Sequence, residues 1–140
     1  MGTGIALRPG SCWLPAGWVG DAAAAQIIPQ LVGPFAAAVR ERVEHIHRYP
    51  GAIAQFEHAS ADEVRTLYEA AARGRASAER VGAKAWERPD MLPGFLRAFD
   101  ELLAYIASDA RISGSTDTEA VFPSSRGFHV TFFSQPNGNA

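Results

Sequence analysis

The chain has 140 residues, 47% of them hydrophobic and 20% charged, with a net charge of −2. That balance excludes a disordered or fibrous chain and fits one compact core, since a single domain usually serves roughly 100 to 200 residues. It supplies no global positive field, so a nucleic-acid partner is not expected without a local basic patch. Cys12 is the sole cysteine, which rules out an internal disulfide, argues against a cysteine-built zinc site and points to a reducing compartment. Met1 to Ser11 shows no basic segment followed by an apolar run, and no stretch approaches the roughly 18 to 20 apolar residues of a spanning helix. The expectation is a soluble cytoplasmic protein with no membrane partner. Arginine outnumbers lysine twelve to one, a coding bias of GC-rich bacterial genomes rather than a physical requirement.

In chain order, residues 4 to 8 read as a short strand, followed by an irregular segment in which Trp13 and Trp18 can bury large apolar area. Asp21 opens a helical stretch of alanines that Pro29 should end or kink. A second helix begins near Pro34, with Phe35, Val39, Val43 and Ile46 on one face and Arg40, Glu41, Arg42, Glu44, His47 and Arg48 largely elsewhere. Tyr49-Pro50-Gly51 stops it. Residues 52 to 59 read as a connector or short helix anchored by Ile53 and Phe56. Ser60 and Glu63 form a capping-box pattern that starts a long helix. Its narrow face of Val64, Leu67, Ala71, Ala78, Val81 and Ala85 permits close packing, while Gly74 and Gly82 weaken local helix preference. A break is expected near Pro89.

The clearest element follows. Asp90 is placed to cap a helix, Pro93 suits its first turn, and Leu92, Phe95, Leu96, Phe99, Leu102, Leu103 and Ile106 recur at three- and four-residue steps. Phe95, Phe99 and Leu103 are expected to be buried. Residues 113 to 117 read as a loop. Residues 119 to 122 and 128 to 133 then read as a hairpin around Pro123 to Gly127, and 135 to 140 as a mobile polar tail. A hairpin alone is marginal, so residues 4 to 8 are expected to join it. The predicted fold is α+β in one domain spanning 1 to 140: three principal helices beside a small, mainly antiparallel sheet made by the amino-terminal segment and the carboxyl-terminal hairpin.

No catalytic signature stands out. Glu41, Glu44, His45, His47 and Arg48, with Glu57 and His58 beyond, form the densest titratable set, and imidazole near acids suits proton transfer or metal binding. His45 and His47 are two residues apart, about 200° around a helix, and cannot share one metal there. Glu41 and His45, four apart, can meet, while Glu44 and Arg48 suit an ordinary surface pair. His129, in the last predicted strand, is the third residue of an alternative acid–base site with Glu41 and His45. No Gly-x-Ser-x-Gly elbow, phosphate loop or calcium loop occurs, so no cofactor or metal is called for. Asp100 and Glu101 read as solvated acids. Arg65, Arg73, Arg80 and Lys84 form a stripe interrupted by Glu69, which sits four residues before Arg73 and suits a pair with it.

These absences favour a protein-binding module, of the kind that inhibits a toxin or effector by occlusion as immunity proteins do. Arg126, Ser124 and Ser125 on the predicted turn, with Arg73 and Arg80, are the nominated partner surface. A histidine-dependent enzyme, or an assembly component of a phage or bacterium, are the alternatives.

Overall fold

Pro9 and Gly10 turn the amino-terminal strand back on itself, proline presetting φ at the second turn position and Gly10 taking φ 83° at the third, where a side chain is disfavoured. The computed structural model describes residues 3–15, 18–49, 51–82, 89–113 and 130–132, and only the backbone of His47, Pro89 and 130–132. It opens with strands β1 (Gly4–Arg8) and β2 (Ser11–Trp13), paired antiparallel. With β3 (Ile53–Gln55) and β4 (Val130–Phe132) they form a sheet of order β3-β1-β2-β4.

The sheet is mixed. β3 lies parallel to β1, matching Gly4 to Ile53 and Ala6 to Gln55, whereas β4 lies antiparallel to β2, matching Cys12 to Thr131. The segment read as a connector or short helix therefore supplies a strand, which its three residues were too few to signal by alternation. Residues 130–132 pair with 11–13 rather than with 4–8. The first arm and turn of the expected hairpin, and the tail, lie outside the described residues.

Among the described residues, four helices of nine residues or more accompany this sheet. α1 (Val19–Ile27) passes into a 3-10 turn at Ile28–Gln30, where Pro29 ends the α-helical ladder as expected. α2 (Ala36–Arg48) buries Val39, Val43 and Ile46. α3 (Ala61–Val81) begins at the reciprocal Ser60–Glu63 box, both bonds 3.1 Å long. It buries Val64, Leu67, Ala70, Ala71, Gly74 and Ala78, but Val81, assigned to the same face, is exposed. Gly74 has a packing purpose, since a Cβ there would lie 2.8 Å from the carbonyl oxygen of Gln26, so α1 reaches α3 only across a glycine. α4 (Leu92–Ala107) is capped at Met91 without a side-chain bond, not at Asp90, because a 3-10 turn over Pro89–Met91 precedes it. A single turn, α5 (Ala110–Ser113), follows.

The apolar stripe of α4 fills the centre. Leu92, Phe95, Phe99, Leu102 and Ile106 are buried, while Leu96 and Leu103 sit half-buried at the margin. Phe95 meets Phe99 edge to face at 5.3 Å. Trp13 is buried and donates its indole N–H to the Ala98 carbonyl at 3.1 Å, tying β2 to mid-helix. Trp18 is only partly covered, 39% exposed, and stacks on Phe95 at 6.0 Å.

Candidate functional site

On α2, Ala38, Glu41, Arg42 and His45 recur at helical steps beside the buried row of Val39, Val43 and Ile46. That offset turns them toward β3, where they, Ile53 and Gln55 line an open groove of about 410 Å³. Arg42 spans it: Nη1 donates to the Gln55 carbonyl at 2.7 Å, Nη2 lies 3.6 Å from Glu63 Oε1, and the guanidinium carbon sits 5.4 Å from the Phe56 ring centre. Glu41 and His45 are exposed, and His45 packs against the Tyr49 ring at 4.9 Å. No ion pair engages Glu41 among the described residues.

The structure thus brings together two of the three residues of the acid–base site, Glu41 and His45. The third, His129, lies outside the described residues. Among the described residues, none that lines the groove is a serine, threonine or cysteine. His58 is exposed in the turn before Ser60 and does not line the groove. Glu44 and Arg48 form the ordinary exposed pair expected of them, 3.5 Å apart.

A second polar constellation has no local signature in the sequence. The β1–β2 register shifts between Ile5 and Arg8, a bulge that turns the main chain of Leu7 out of the ladder. Its freed groups are satisfied from the helical layer: Leu7 N–H donates to the Tyr105 hydroxyl at 3.0 Å, and Arg111 Nη2 donates to the Leu7 carbonyl at 2.6 Å. Tyr105 Oη also shares a 2.9 Å hydrogen bond with Ser11 Oγ. Arg111 further donates to the carbonyls of Phe56 and Ala59 and grips Asp109 through Nε and Nη2. Arg8 Nη1 stands 3.6 Å from Asp109 Oδ2, an ion pair too long for a hydrogen bond. Three of the Arg111 guanidinium bonds end on main-chain carbonyls and two on the neighbouring Asp109 carboxylate, the geometry of a structural clamp.

Burial alone would raise the Asp109 carboxyl, but hydrogen bonds from the Arg111 side chain and amide, with the charges of Arg111 and Arg8, hold it below its ordinary value. The carboxylate therefore contributes stability above its unfolded titration range, and the contribution is lost as pH falls through the depressed folded value. Asp109→Asn is expected to be less stable than the parent at neutral pH and to respond less to acid below about pH 4. Urea midpoints for both proteins at neutral and acid pH measure this, and parallel pH curves would contradict it.

The remaining charges are local ties. Arg73 donates to the Gln30 carbonyl at 2.8 Å rather than pairing with Glu69, and Arg65 meets Asp62 at 2.8 Å, so the supposed basic stripe is broken. Arg80 is exposed. Asp100 accepts from Arg75 at 2.8 Å, and Glu101, read as solvated, is 3% exposed because it faces inward from α4. Burial pushes the Cys12 thiol up to about 11, which suits an inert core thiol. Arg126, Ser124 and Ser125 lie outside the described residues.

Among the described residues, no helix is long and apolar enough to cross a membrane, and no group of three or more His, Cys, Asp or Glu side chains is placed to hold a metal ion. Comparison with protein-family models, curated proteins and solved structures gives no match.

Proposed function

We propose that the protein is a non-catalytic binding module that engages another protein, acting as an inhibitor or immunity-type protein that masks a toxin or effector by occlusion. The α2–β3 groove is the observation that supports this reading. It sets the apolar side chains of Ala38 and Ile53 among the polar ones of Glu41, His45 and Gln55, the mixture typical of a protein-binding patch. Its walls are a helix and a strand, so its contacts are held in place before a partner arrives.

The test begins with purification of the intact chain from its native host and identification of the protein that accompanies it. Calorimetry with that partner should then show Glu41→Gln and His45→Ala weakening binding about fivefold or more, as truncation of a central contact does, with thermal unfolding unchanged. Arg126→Ala and Arg80→Ala, run in parallel, place the nominated alternative surfaces. Unaltered affinity in both groove variants would remove the groove from the interface. The enzyme reading is favoured by one observation, Glu41 and His45 on the same groove. It would prevail if a folded His45→Ala protein bound normally yet lost a measured turnover.

A further inference from the structure

The β1–β3 ladder shows which way each main-chain group of β3 points. Gly4 N–H donates to the Ala52 carbonyl at 3.4 Å, and Phe56 N–H donates to the Ala6 carbonyl at 2.8 Å. Main-chain groups of successive residues in a strand address opposite neighbours, so Ala52, Ala54 and Phe56 face β1 while Ile53 and Gln55 face away from it. Arg42 marks that outward direction independently, since it reaches the Gln55 carbonyl from α2. Among the described residues, no hydrogen bond engages the N–H or carbonyl of Ile53 or the N–H of Gln55.

We infer that the groove takes an extended, basic polypeptide segment, which adds as a further strand along β3. The inference rests on the binding-module reading and names the partner's chemistry. Donor, acceptor and donor follow one another along the open edge, spanning about 7 Å of strand, and an extended chain in either direction offers the complementary series. Side chains lining the groove choose among such chains. Arg42 has its charge met by Glu63 and its guanidinium occupied at Gln55. Glu41 carries a carboxylate on the α2 wall that no ion pair meets among the described residues, and it selects a lysine or arginine on the incoming strand. Arg42 also blunts the edge at Gln55, which limits the added strand to a short stretch and disfavours indiscriminate edge-to-edge pairing.

Three capped eight-residue peptides test this against the full-length, isotope-labelled protein: alternating Lys and Val, the same peptide with alternate amides N-methylated, and alternating Glu and Val. The Lys-Val peptide should shift the amide resonances of Ile53 and Gln55 and slow hydrogen exchange at both about tenfold at saturation. The N-methylated peptide should produce neither effect, and the Glu-Val peptide should bind more weakly. Glu41→Gln should reduce the Lys-Val preference about two- to fivefold, the range of an exposed charge pair. Gln55→Pro removes one outward donor without touching the β1 ladder and should weaken binding further. Equal responses to the plain and N-methylated peptides, or none up to millimolar concentration, would overturn strand addition. If the native partner binds with normal affinity to folded Gln55→Pro, strand addition fails and the binding module stands. Absence of any host partner would defeat the broader reading instead.

Discussion

Phe99→Ala is expected to lower the denaturation midpoint more than any other single truncation in α4. The ring is fully buried, meets Phe95 edge to face, and lies on the helix stripe that packs against α3 and the sheet. Removing such a ring costs about 3 to 5 kcal/mol, combining lost transfer energy with an unfilled cavity. A domain of this kind has only about 5 to 15 kcal/mol in all, so a fall of about 10 to 17 °C in Tm should accompany the change. Leu103→Ala is the internal comparison, because that side chain packs only half-buried at the margin, and its cost should stay below about 2 kcal/mol. Urea denaturation of the two variants decides the matter. Equal losses, or an unchanged midpoint for Phe99→Ala, would contradict the placement of the core.

Arg111→Ala should be comparably damaging although it removes no core volume. One guanidinium joins the carbonyls of Leu7, Phe56 and Ala59 to the Asp109 carboxylate, linking β1, the segment after β3 and the end of α4. Without it, three carbonyls lose a charged donor, and Asp109, 3% exposed, keeps only Arg8 at 3.6 Å as a cationic neighbour among the described residues. Breaking a buried, hydrogen-bonded pair in this way costs about 3 kcal/mol or more. Arg111→Lys should not restore it, since an ammonium cannot present donors in a planar fork to several fixed acceptors. Faster amide exchange at Ala54 and Phe56 is the local readout, because Arg111 holds the main chain beside β3. Loss of that restraint should also weaken whatever the groove binds. Wild-type stability in Arg111→Lys would show that the fork geometry is unimportant.

Helix content was legible because its signals are local. The Ser60–Glu63 box, the proline at 29 and the apolar stripe of α4 each act within a few residues, and each stands where the spacing predicted it. The Asp90 cap failed for an equally local reason, a 3-10 turn that carries the helix start on to Leu92. Glu41 and His45 were legible as a pair, since four residues along a helix always share a face.

Composition and short-range spacing by themselves therefore determined the α+β class, the helices and the Phe95–Phe99 core, because propensity, capping and periodicity act between near neighbours. Tertiary structure alone decided the parallel placement of β3 beside β1, the wall it forms with α2, and the convergence of Arg8, Ser11, Tyr105, Asp109 and Arg111. Those residues lie about a hundred positions apart in sequence. What unites them is the bulge in β1, whose freed main-chain groups must find partners once buried, and no local pattern announces which side chains will supply them.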